Sequence, residues 1–271
     1  MTRVIAICNQ KGGTAKTTTA VNLAAGLARG VAGARRVLLV DADPQANATA
    51  VMQGVAAAVG PRQNGKPTIY EVMLNGAAGQ QAIRTIDLPA RDSVPGGRLD
   101  ILPAHISLAG AEIQLVPAFQ REQRLRNGLH TLLASYDFVI IDTQPSLGLL
   151  TINVLMAAGE VVVPVDPGLF PLVGLGLLQQ TLDMVRAANP ALHISGILPT
   201  RVDRTVLARD TLAELTRMFG QRVLPPIPAR VAISEAHSAG SDVFFHAPHG
   251  DGAQAYTRVI EEVVKHEQKT A

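Results

Sequence analysis

The sequence predicts an α/β fold: one doubly wound, mostly parallel sheet flanked by helices. Three observations carry this. Short apolar runs at residues 4–8, 36–40, 99–103, 136–142, 160–165 and 193–199 alternate with helical patterns along the chain. The strongest of them are unbroken rather than alternating, as strands buried on both faces of a parallel sheet are. Two of them run into carboxylates, Asp41 and Asp142, at the sheet edge where ligands bind in such folds.

The first run, Val4-Ile5-Ala6-Ile7-Cys8, leads into Asn9-Gln10-Lys11-Gly12-Gly13-Thr14-Ala15-Lys16-Thr17-Thr18. An Ala- and Leu-rich helical stretch, 20–28, follows. Strand, glycine loop, Lys-Thr pair and helix make a phosphate-binding loop. Backbone N–H groups and the helix N-terminus face the phosphates, Lys16 adds a positive charge, and the Thr17 hydroxyl can reach Mg²⁺. Ala15 stands where the ordinary pattern has glycine, and a methyl there requires a negative φ.

After a loop at 30–35, strand 36–40 runs into Asp41-Ala42-Asp43-Pro44-Gln45. Asp43 before Pro44 also suits a helix N-cap. Residues 60–67 and 89–98 are rich in Pro, Gly and polar residues and read as loops, with a short helix at 68–74 between them. The stretch 106–133 is helical in pattern, broken near Pro117, and its Arg121, Arg124 and Arg126 form a solvated face. Strand 136–142 ends on Asp142, apolar residues then a carboxylate able to hold Mg²⁺, and continues Thr143-Gln144-Pro145-Ser146. A strand at 160–165, a helix at 172–188 and a strand at 193–199 follow. The C-terminal helix, 255–267, packs Val259, Ile260, Val263 and Val264 on the body. With no repeat or low-complexity tract, residues 1–271 are expected to form a single domain.

Composition bounds the function. The chain is 47% hydrophobic and 17% charged, so it can bury a large core and disorder is not expected. Only 3% is aromatic and Trp is absent, which makes the core aliphatic and argues against a base-stacking platform. A net charge of +2 is too weak to indicate nucleic acid by itself. Cys8 is the single cysteine. It allows no internal disulfide, suits a cytoplasmic protein, and cannot ligate an iron–sulfur cluster alone. The opening apolar run is too short for a signal peptide, and no stretch is long enough to span a membrane.

The run Lys-Gly-Gly-Thr-Ala-Lys-Thr-Thr, with Asp-Ala-Asp-Pro-Gln and the strand ending at Asp142, closely resembles the deviant Walker A motif and companion motifs of the ParA/MinD family of ATPases. The resemblance implies ATP held by Lys11, Gly12, Gly13, Thr14, Ala15, Lys16, Thr17, Thr18 and Asp142, with Mg²⁺ at Thr17 and Asp142. It implies that Lys11 crosses a dimer interface to the partner's ATP and that Asp43 orients the attacking water, so that Lys11 and Asp43 are the catalytic residues. Thr200 and Pro228 fall in the region that reads the nucleotide base. A ParA-type partition ATPase would form an ATP-dependent homodimer on nonspecific double-stranded DNA, at the nucleoid. A ParB-like partner would stimulate hydrolysis and release it. The segment Ile227-Pro228-Ala229-Arg230-Val231-Ala232-Ile233-Ser234-Glu235-Ala236 resembles one common in chromosomal members. Here Ala232 replaces an arginine and Arg230 an asparagine. DNA contacts are therefore expected at Arg201, Arg204 and Arg230, with Arg209 and Arg217 on the next helix. A MinD-like regulator cycling on membranes is the alternative, weakened by the missing basic amphipathic tail. Amide-forming ligases share the fold, but Lys11 and Asp-Pro-Gln weigh against them.

Overall fold

Seven strands form the sheet: β1 (Arg3–Ile7), β2 (Val37–Ala42), β3 (Arg84–Leu88), β4 (Gly97–Leu102), β5 (Phe138–Thr143), β6 (Glu160–Val165) and β7 (His193–Pro199). The structure, a computed structural model, describes residues 2–60, 65–168 and 171–268; part of the expected 60–67 loop lies outside them. The spatial order is β3-β4-β2-β5-β1-β6-β7. All neighbours are parallel except β3, which runs antiparallel to β4. The expected α/β sheet is thus present, with one strand added. β3 escaped the sequence reading because it is a polar edge. Its exposed Thr85 and Asp87 alternate with the half-buried Arg84 and Ile86 and the buried Leu88, and the Thr85 hydroxyl donates to Asp100 across the pair at 2.6 Å.

The pleat divides the core. On β1, Val4 and Ala6 face one apolar layer together with Cys8, while Ile5 and Ile7 face the other. The second layer packs the helix Lys16–Ala28 against the helix Asp251–Gln268. A Cβ on Gly26 would lie 2.3 Å from the Ile260 side chain and 2.6 Å from Phe244, so a larger residue would force these two side chains to move. Val259, Ile260 and Val263 are buried as the sequence implied. At the end of the first helix the Arg29 guanidinium is buried, pairs with Asp242 at 2.8 Å, and donates to the carbonyls of Pro89 and Pro95.

Three helical readings shift. The first helix begins at Lys16, not at 20, and the last runs Asp251–Gln268. The 106–133 stretch is broken into a 3₁₀ turn Ile106–Gly110 and short helices Ala111–Leu115 and Arg124–Leu129. The helix Ile69–Leu74 is set by a capping box between Thr68 and Glu71. The outer edge of β7 is covered by the segment 223–227: Leu224 N–H donates to the Ile197 carbonyl and Ile227 N–H to that of Pro199. Among the described residues no helix is long and apolar enough to cross a membrane.

A phosphate-loop site at the carboxyl edge of the sheet

Strand order brings the carboxyl ends of β2, β5 and β1 side by side. In register, Asp142 on β5 lies between Ile7 of β1 and Asp41 of β2. Both carboxylates therefore sit inside strands and are fully buried. Asp41 accepts the Thr49 N–H and hydroxyl at 2.8 and 2.7 Å and the Asp43 N–H at 3.2 Å. Burial nevertheless pushes its pKa up to about 6. Neither oxygen of Asp142 takes a hydrogen bond of good geometry. Burial, then the charges of Asp41 and Asp43, hold its carboxyl well above the usual range; the Thr17 hydroxyl and Lys16 ammonium act the other way. A buried carboxylate with unmet acceptor capacity beside a threonine hydroxyl is a donor set that fits a hard divalent cation.

Asp43 lies just past β2 and is buried. Its Oδ1 accepts the Gln45 N–H at 2.8 Å, closing a turn. It is not a helix N-cap: the next helix is Asn47–Gln53, and its N-cap position is Ala46. Lys16 is buried too, and its Nζ donates to the Lys11 carbonyl at 3.1 Å. Burial lowers its pKa, while Asp142, Cys8 and Asp43 pull it back up. Lys11 differs from Lys16. It is exposed, and among the described residues its ammonium has no hydrogen-bond or ion-pair partner.

The loop is pinned from several sides. Asn9 donates to the Pro164 carbonyl at 2.7 Å and accepts the Lys11 N–H at 3.0 Å. Gly13 has φ 73°. Ala15 has φ 62° and ψ 33°, so the expected negative φ is not met and the methyl is carried in a left-handed conformation. Beside the loop a cleft of about 420 Å³ is lined by Ala15, Thr18, Thr200, Pro228, Arg230 and Tyr256, with Arg201 at its wall. Thr200 and Pro228 are thereby brought beside the loop.

The arginines expected on a DNA surface separate. Arg201 is drawn to the loop: its guanidinium donates to the Gly13 carbonyl at 3.3 Å and pairs with Asp166 at 3.5 Å. Arg230 pairs with Asp251 at 2.8 Å, Arg209 with Asp210 and Arg217 with Glu214. Arg204 is exposed with no partner among the described residues. The structure adds residues the sequence did not point to. Thr49 holds Asp41, and Glu112 accepts from both Gln144 and the Leu150 N–H. Nothing in local sequence signals either contact.

Residues 2–194 match the family model described as an AAA domain. The chain is 42% identical over 270 residues to the chromosome-partitioning ATPase Soj of Thermus thermophilus, covering 98% of this chain and 97% of that protein. Among solved structures, a putative plasmid partition protein of Borrelia burgdorferi bound to AMPPNP superposes with a TM-score of 0.81 at 25% identity, covering 98% of this chain and all of that one. A Mycobacterium smegmatis structure described as cobyrinic acid a,c-diamide synthase with bound ATP analog and magnesium gives 0.79 at 34% identity, covering 100% and 98%. The matched length, the shared sheet and the loop with its two lysines lead to one conclusion: the chain belongs to the Soj/ParA family of partitioning ATPases.

Proposed function

We propose that this chain, one domain over residues 1–271, is an ATP-driven partition protein whose two copies close on two nucleotides, bind nonspecific double-stranded DNA and separate on hydrolysis. The observation that carries this reading is the division of labour between two lysines. Lys16 is buried against the carboxylates and occupied within the chain, whereas Lys11 is exposed at the lip of the same loop. A free ammonium at the lip of a phosphate site is available to a nucleotide held by a second copy, the role an arginine finger fills elsewhere. Loop amides, Lys16 and Thr18 hold the phosphates; Thr200 and Pro228 border the base. Thr17 and Asp142 hold Mg²⁺, which supplies charge neutralisation on the phosphates when bound. Asp43, held by its turn, orients the water. Arg204 contributes to the DNA surface, and a ParB-like protein sets the hydrolysis rate at the nucleoid.

The test is Lys11→Ala. The variant should bind ATP yet show no ATP-dependent dimer by size exclusion. Mixing it with Asp43→Ala protein should restore a heterodimer, because one cross-subunit lysine remains. A Lys11→Ala protein that dimerises like wild type removes the basis of the reading.

The likeness to the diamide synthase structure favours a second reading, ATP-driven amide formation. It requires turnover to depend on an acid and an amine donor. A thiol nucleophile for releasing ammonia is not at hand: Cys8 is fully buried and burial pushes its pKa up to about 11. ATP turnover without any acceptor excludes this reading.

A further inference from the structure

A loop that binds phosphate turns its N–H groups inward. Its carbonyls then point outward and need donors of their own. Two consecutive residues after β7 supply them. The Thr200 hydroxyl, fully buried, donates to the Thr14 carbonyl at 3.2 Å, and Arg201 Nη1 donates to the Gly13 carbonyl at 3.3 Å. The same guanidinium is held by Asp166, just past β6, at 3.5 Å. Arg201 thus links the ends of β6 and β7 to the middle of the loop. Its backbone has φ 54°, a conformation that a long side chain keeps only where its surroundings impose it. Both contacts are made by the one nitrogen, Nη1, which lies between the Gly13 carbonyl and the Asp166 carboxylate.

Resting on the nucleotide site proposed above, we infer that Arg201 is a positioning residue for the phosphate loop. Anchored by Asp166, it holds the Gly13 carbonyl outward so that the loop amides stay turned to the phosphates. The sequence expectation of a DNA contact at Arg201 concerns the same side chain, which stays 62% exposed, and the salt slope of DNA affinity separates the two roles.

The experiment titrates ATP and ADP, each with Mg²⁺, into the full chain carrying Arg201→Ala, Arg201→Gly or Arg201→Lys. Glycine is comfortable at φ 54°, so that variant removes the guanidinium without straining the turn. Loss of one such bond should raise both dissociation constants about three- to tenfold in the Ala and Gly variants, with Lys between them and wild type. The salt slope of DNA affinity should not change. Wild-type affinities in both Ala and Gly variants overturn the inference. So does wild-type affinity in Gly alone, which would assign the effect to backbone strain. A salt slope flattened by about 2 with nucleotide binding intact would return Arg201 to the DNA surface. Lys16→Ala is the control for the site itself. If it still binds ATP, the nucleotide reading fails; if it does not while the Arg201 variants bind normally, only the inference fails.

Discussion

Replacing Ala15 with glycine should stabilise the nucleotide-free protein. Ala15 sits at φ 62°, ψ 33°, at the N-cap position of the helix Lys16–Ala28, and makes no side-chain cap. In that region the Cβ of an L-residue crowds the next carbonyl, at roughly 1–2 kcal/mol. Glycine removes this strain but frees the unfolded chain, which returns roughly 0.4–1 kcal/mol. The difference leaves a net gain of about 0–1.6 kcal/mol, or a rise in melting temperature of up to roughly 6 °C for a chain of this size. Urea unfolding is the assay: the midpoint should rise at constant slope. Ala15→Val should move it the other way, because a β-branched residue is poorly tolerated at positive φ. A lower midpoint for Ala15→Gly, at unchanged slope, would refute the reasoning, since the methyl would then contribute more in contacts than it costs in strain.

Asp43→Ala should bind ATP but hydrolyse it roughly 10²–10⁴-fold more slowly, the usual loss for a proton-handling or water-positioning group; normal turnover moves that role elsewhere. Asp142 binds its proton more tightly folded than unfolded, so its contribution to stability is complete below the unfolded carboxyl value of about 4 and is lost as pH rises through the raised folded value. Asp142→Asn should therefore match wild type in acid and become the more stable nucleotide-free protein toward neutral pH, while losing Mg²⁺-dependent ATP binding; urea midpoints against pH that stay parallel would contradict this. Arg204→Ala should flatten the log–log salt slope of DNA affinity by about 2, one phosphate per protomer at about 0.9 each, with DNA-independent hydrolysis unchanged. An unaltered slope places the DNA surface elsewhere.

The strand pattern and the loop were legible because both follow from local rules: unbroken apolar runs, and glycines before Lys-Thr. Asp142 could be picked out for the same reason, as a carboxylate ending an apolar run, whereas Asp43 was singled out from its neighbour Asp41 only by the family resemblance. What failed was information that tertiary contacts create. β3 is polar and exposed on alternate residues, so no apolar run announces it. The φ of Ala15 is imposed by the loop's need to turn amides inward, a demand no alanine signals. The arginines read alike in sequence, yet Asp166, Asp251, Asp210 and Glu214 distinguish four of them from Arg204.

The covered margin of β7 has a consequence for how copies of this chain can meet. A sheet edge with free N–H and C=O groups is a template for adding another chain's strand, and proteins brought together in number are exposed to that hazard. Here the 223–227 segment already takes the Ile197 and Pro199 carbonyls. Two of its residues, Pro225 and Pro226, have no N–H to present outward. The opposite margin, β3, is five residues long and carries Arg84 and Asp87, a short charged strand that discourages pairing. Growth of the sheet from chain to chain is thereby hindered at both ends. The dimer proposed above, on the surface bearing Lys11, would then meet through side chains, where association can be reversed without unpicking a backbone ladder.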